Sequence, residues 1–418
     1  MAYTETTSTS WFDRLGSSFR GIGLGLVLII AGTALLWWNE GDFVGTGDAL
    51  REAQSLTREL GDISKLDPSK NGQLVHGVGP VATNDTLNDP VFGVSINAIR
   101  LERTVEFYQW MEQSKSEKKK KLGGGEETVT TYTYAPKWTS RPVDSSEFTD
   151  PQARTANKNI VLADLENFKT QATNVTFGAY RLPEFMINSL SGAISLNVNL
   201  SETTIAKLNK DLALAAQEAR GEAQVPQDDA NNMLTQQTSA QMVHASGDTV
   251  LLGASPSTPR IGDVRVTFKE TRPATVSILA KLNGNTFETY RASNGKTVSQ
   301  LSMGTRSLEN MYGAAHSSNA AMTWVLRVVG ALFIITGLKL IVAPLAVIAD
   351  VIPLLGSIVG AGVGLVCTLL GLAWSLVIIA IAWLRFRPLI GGGILALAAV
   401  LIALLYIKGR SRKTAPSR

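Results

Sequence analysis

Uncharged apolar stretches lie toward the two ends of the chain, and alternating patterns fill much of the middle. Residues 21–38, GIGLGLVLIIAGTALLWW, hold no charge. At about 1.5 Å per residue such a helix nearly crosses a hydrocarbon core of about 30 Å. Trp37 and Trp38 close it where an interfacial aromatic belt would sit. A cleaved signal peptide would need a small-x-small site there, so the segment reads as an uncleaved anchor.

From about 322 to 407 the chain is apolar almost throughout. Polar residues and prolines divide it into expected spans at about 323–345, 358–383 and 389–407. Residues 346–357, with Asp350 and Pro353 inside them and Pro344 just before, read as an interfacial or re-entrant piece, because proline disfavours a continuous helix. RFRPL, 385–389, reads as a tight connection.

Orientation follows lysine and arginine near the span ends. The segment 1–20 holds Arg14 and Arg20, and the tail 408–418 is basic. Both termini are therefore expected on the cytoplasmic side, with 39–321 opposite. Arg385 and Arg387 then fall on the outer side and vote against this.

Within 39–321, residues 41–60 carry a helical pattern in Ala49, Leu50, Ala53, Leu56 and Leu60. LVHGVGPV from Leu74 and VFGVSI from Val91 read as strands, with a turn at Asp89-Pro90. LERTVEFYQWMEQ, 101–113, puts Val105, Phe107 and Met111 on one face and Tyr108 and Trp110 on the other. ETVTTYTYAPKW alternates again after KKKKLGGG, 118–125. Folding about residue 121 would set Tyr108 against Tyr134, Trp110 against Tyr132 and Lys115 against Glu127, pairs that stabilise a hairpin. VRVTF at 264 and TVSILAKL at 275 precede a hairpin signal, Asn283-Gly284. Residues 202–220 read as a polar helix, and about 221–248 as a mobile loop. The expected fold is an α+β membrane protein. One N-terminal and three C-terminal transmembrane helices flank a large antiparallel-β-rich extramembrane domain with an insert at about 201–248.

Charge adds little. A net charge of +4 is mild and makes no case for nucleic acid. One cysteine, Cys367, excludes an internal disulfide framework, and His76, His244 and His316 have no metal-ligand spacing. No phosphate-loop, zinc-protease or nucleophile-elbow motif occurs, so no catalytic residue, cofactor or metal is expected. Glu102, Glu106 and Glu112 read as solvating an exposed strand. His76 reads as structural and His316 as interfacial. Trp324, Arg327 and Lys339 fall in the second span. The two cations could line an ion path; without an acidic partner in the spans, snorkelling to the headgroups is the preferred reading. Gly356, Gly360 and Gly364, four apart, suit close helix approach within a subunit or between subunits. KKKKLGGG reads as a solvated hairpin tip, with contact to anionic headgroups as the alternative.

Several stretches resemble the transmembrane protein 43 family, also called LUMA. They are NEG (Asn39, Glu40, Gly41), GQLVHGVG at 72–79, DPVFGV at 89–94, and RLERTVEFYQWME at 100–112 with Tyr108, Gln109 and Trp110. YTYAPKW ending at Trp138, GDVRVTF with Asp263 and Arg265, SNAAMTWVLRVVG at 318–330 and RPL with Arg387 and Pro388 follow in order. The region 201–250 departs from the pattern. The resemblance implies four spans, a large domain in the endoplasmic reticulum lumen, and residence there and in the inner nuclear membrane. It also implies self-association and complexes with emerin and lamins in animals. In a bacterium the domain would face the periplasm. The expected function is a non-enzymatic membrane organiser or scaffold that self-associates and meets lipid or protein partners, with a channel or transporter subunit as the alternative.

Overall fold

The structure is a computed structural model that describes residues 2–157, 164–220, 242–253, 255–389 and 392. Four long helices are α1 (Trp11–Leu56), α2 (Glu202–Arg220), α3 (Leu308–Ala349) and α4 (Pro353–Phe386). Three of them, all but α2, carry stretches long and apolar enough to cross a membrane. The expected span at 389–407 lies outside the described residues beyond Leu389, save Gly392, as does the tail 408–418.

α1 is unbroken for 46 residues, about 69 Å at about 1.5 Å per residue. The expected anchor at 21–38 is thus its middle, and the helical pattern after residue 41 is its continuation to Leu56. Ser10 caps its start by accepting from the Asp13 amide at 3.1 Å. No separate interfacial piece exists at 346–357. Pro344 lies inside α3, and α4 begins directly at Pro353, after only Asp350–Ile352. Proline at the first helical position gives up an N–H that has no partner there anyway.

The strands used below are β1 (Ala2–Thr9), β2 (Leu74–Thr83), β3 (Arg100–Lys120), β4 (Glu126–Thr139), β5 (Val243–Ser246), β6 (Thr249–Leu252), β7 (Val264–Thr271), β8 (Thr275–Asn283) and β9 (Gln300–Met303). One sheet runs β1-β4-β3-β7-β6-β5. The other centres on β8, which pairs antiparallel with β2 and β9. Alternation places Leu101, Val105 and Phe107 of β3 and Val266 and Phe268 of β7 in the core, with Phe177, Ile278 and Leu282. A second cluster seats Leu50 and Ala53 of α1 and Met311 and Tyr312 of α3 on Leu74 and Leu279. The long helices therefore leave the apolar bundle and root in the β domain. VFGVSI is mostly a turn, with a short strand only at Ser95–Asn97. The expected loop at 221–248 lies outside the described residues to 241, and its remainder holds β5.

The hairpin of β3 and β4 has a register four residues from the expected one. Tyr108 faces Trp138, Trp110 faces Pro136 and Lys115 faces Thr131. The turn centres on Gly123 and Gly124, both at positive φ, so Lys118–Lys120 belong to the strand rather than the tip. An even slip keeps every side chain on its expected face. Only β3 up to Phe107 pairs with β7; beyond it, β3, β4 and β1 form a three-stranded ribbon.

Candidate functional site

α1 and α3 pack antiparallel through glycines. A Cβ on Gly25 would lie 2.7 Å from the Gly337 carbonyl oxygen, and one on Gly32 2.7 Å from that of Gly330. Both pairs are spaced by seven, two helical turns, so they share one face. Extending this alignment to either end brings opposite charges together.

At the domain-side end, Glu40 accepts from the Arg327 guanidinium at 2.6 and 2.8 Å and from the Trp383 indole N–H at 2.8 Å. Glu40 is 1% exposed. Arg327 also lies over the Trp324 and Trp383 rings. The snorkelling reading of Arg327 is therefore overturned: its acidic partner sits two residues past the first apolar run. The neighbours complete the junction. The Asn39 amide donates to the Thr323 carbonyl at 3.2 Å. A Cβ on Gly41 would press into the Phe386 ring at 2.9 Å, and Trp37 packs against the same ring at a tilt of 58°. Arg387 caps α4 and lies 4.6 Å from the Phe43 ring centre; Pro388 is exposed. NEG thus holds α1 against both α3 and α4. Trp38 and Lys339 stay exposed.

At the far end, Asp350 receives Arg14 at 2.6 Å and Lys120 at 2.5 Å. Burial pushes its carboxyl up, but the hydrogen bonds from Lys120 and Arg14 outweigh that and hold it below the usual carboxylate range. The Trp11 indole donates to the Val347 carbonyl at 2.9 Å, and the Gly123 amide to that of Val351 at 3.1 Å. The tip of the β3–β4 hairpin is therefore docked on the bundle. Residues 1–20 and 39–321, expected on opposite sides of the membrane, meet here. From Phe107 to Lys120 the ribbon covers about 43 Å at about 3.3 Å per residue. From Arg14 to Glu40, α1 covers about 39 Å. The ribbon and the bundle run the same length.

The remaining motif residues gather at the ribbon root. Tyr108 and Trp138 rings lie 5.2 Å apart, Arg265 lies 4.4 Å over Trp138, and Arg265 pairs with Glu106 at 2.7 Å. Gln109, 0% exposed, donates to the Arg141 carbonyl at 2.6 Å and accepts from the Val143 amide at 2.9 Å. Asp263 accepts through its backbone from Tyr108, and burial raises its carboxyl pKa. Trp110 is tied through its backbone to Asn157. Glu112 is no mere solvating group: it accepts from the Tyr134 hydroxyl at 2.6 Å and the Thr149 amide at 2.7 Å. Burial first, then that bond, push Tyr134 up to about 12.

His76 bridges Glu59 at 2.8 Å and the Arg306 carbonyl at 3.0 Å. Among the described residues no three His, Cys, Asp or Glu side chains stand where they could hold a metal. A cavity of about 580 Å³ beside Gln171, Arg181, Glu184 and Asn285 involves none of the motif residues. Gly360 and Gly364 have open space around them among the described residues.

A family model described as transmembrane protein 43 matches residues 107–388. The chain belongs to the transmembrane protein 43 family. Transmembrane protein 43 of Rattus norvegicus is 27% identical over 412 residues, covering 96% of this chain and 93% of its own. The Homo sapiens protein is 26% identical over 414 residues, covering 96% and 93%. The transmembrane protein 43 homolog of Drosophila melanogaster is 26% identical over 391 residues, covering 90% and 91%. No solved structure matches. Family membership and three apolar helices together make this an integral membrane protein.

Proposed function

We propose that this transmembrane protein 43 family member is a non-enzymatic membrane organiser. It self-associates and presents its β-rich domain to membrane proteins or lipid headgroups. One observation carries the reading: the domain is tied to the bundle at both ends, by α1 and α3 at its base and by the ribbon tip on Asp350. Such a body can hold a fixed surface at a fixed height above a bilayer. In a cell with an endoplasmic reticulum the reading places it there and at the nuclear envelope; in a bacterium, in the inner membrane. The channel reading draws less support, because Arg327, one of its two candidate path cations, is neutralised by Glu40, and Asp350 between the spans is neutralised by Arg14 and Lys120.

The test is native-mass measurement of the full chain from membranes, with cross-linking and pull-down. An oligomer or a stable partner is expected; a strict monomer without partners would overturn the reading. Gly360→Leu should lower the oligomer mass if the open face of α4 contributes.

A further inference from the structure

The ribbon has two free edges. Along β3, backbone groups alternate between β4 and the outer side. Tyr108 uses that outer side on Gly262 and Asp263, and Trp110 uses it on Asn157. Farther out, Ser114, Ser116, Lys118 and Lys120 present the same row, and among the described residues no strand pairs with it. β1 is the opposite edge, where the same alternation turns Thr4, Thr6 and Ser8 outward. Both rows lie between root and tip, level with the apolar helices. Unpaired amides and carbonyls do not rest in lipid, and neither does a strand of lysines, serines and threonines.

We propose that the ribbon is completed by a second copy of this chain: β1 of one copy pairs in parallel with β3 of the next, around an axis normal to the membrane. The inference rests on the self-association reading above and names the surface that mediates it. Direction decides the geometry. β1 and β3 are each antiparallel to β4, so both run from root to tip. Copies held in one membrane orientation can join these two edges only in parallel. The contact is head-to-tail, one edge against a different edge, and such a contact repeated about one axis normal to the membrane gives a ring rather than an isologous pairing of like edges. The lysines do not oppose it, because Lys120 is committed to Asp350 and Lys118 to Glu126 at 3.1 Å. The rows that would meet are rich in hydroxyls. The ribbon already pairs such groups, with Ser116 and Thr130 hydroxyls 2.9 Å apart. Closed this way, the ring turns a polar wall inward and leaves the apolar helices outside.

Disulfide trapping in native membranes tests this. In a Cys367→Ser background, Thr6→Cys is combined in turn with Ser114→Cys, Ser116→Cys and Lys118→Cys in the full chain. Within one copy β4 separates these strands, about 10 Å as two strand spacings, beyond the about 4.4–6.8 Å that a disulfide needs between Cα atoms. Oxidation should give a ladder of covalent oligomers for at least one pair and none for the single variants. If every pair stays uncross-linked while the native mass remains oligomeric, the copies associate elsewhere and the proposal fails alone. Dimers from Thr6→Cys by itself would mean a two-fold edge contact and also overturn it. A monomeric native mass would overturn this proposal and the reading beneath it.

Discussion

Glu40 shows how much one carboxylate can hold. It lies buried between three helices and accepts three hydrogen bonds, two from Arg327 and one from Trp383. Removing one member of a buried ion pair leaves the other charge without compensation, at about 3–5 kcal/mol. Arg327→Ala is therefore expected to destabilise the fold in detergent by that margin, read as a lower unfolding midpoint. Arg327→Lys should not restore it, because an ammonium cannot make both guanidinium bonds. Asp350 gives a pH dependence. Its folded pKa is depressed, so its contribution is complete above the ordinary carboxylate range and is lost as pH falls through the lowered value. Protection of the Gly123 amide, which donates to Val351, against hydrogen exchange, taken relative to the intrinsic rate at each pH, should fall only in that acidic window. Protection that is unchanged there would remove Asp350 as the latch. Both pairs were written in the sequence as charges near the ends of apolar runs. Neither pairing is legible in a single span, because Glu40 and Arg14 lie outside the apolar run of α1 and reach Arg327 and Asp350 only through the antiparallel packing of α1 on α3. Glu112 was misread for a related reason: Tyr134 and Thr149 come to it from 22 and 37 residues away.

At the scale of elements, local pattern carried furthest. The alternation of LERTVEFYQWMEQ put Val105 and Phe107 on the buried face, and Asn283-Gly284 marked the turn after β8. The hairpin register slipped because strand length depends on where the turn glycines take positive φ, which alternation does not encode. The glycines that hold the bundle together are hidden for another reason: a spacing of four is visible within α4, whereas the close approach uses a spacing of seven shared between α1 and α3. A side chain at Gly32 must displace the Gly330 backbone, so Gly32→Leu should destabilise the bundle by about 1–3 kcal/mol or more. Gly364→Ala, with open space around it, should change the unfolding midpoint little. Thermal unfolding of both variants in one detergent provides the comparison; equal shifts would refute the assignment of the packing face.

The whole molecule was the least legible, because its shape depends on contacts such as Arg14 with Asp350, 336 residues apart. The α+β class and the terminal apolar segments followed from composition and pattern. The return of the ribbon to the far end of the bundle followed from neither. It makes a sidedness prediction. In sealed vesicles, Leu122→Cys at the exposed tip should react with an impermeant thiol reagent from the same side as Ser10→Cys, and Asn294→Cys in the β domain from the other. Reaction of Leu122→Cys from the domain side would separate the tip from the far end. The unbroken length of α1 and α3 has a mechanical consequence. Each passes without a joint from the apolar bundle into the core around Leu74 and Leu279. A helix whose apolar stretch fits its bilayer poorly answers by tilting. With no hinge at the membrane boundary, that tilt is carried into the β domain as a lever carries a turn at its short end. Membrane thickness is thereby translated into the attitude of the surface held above it.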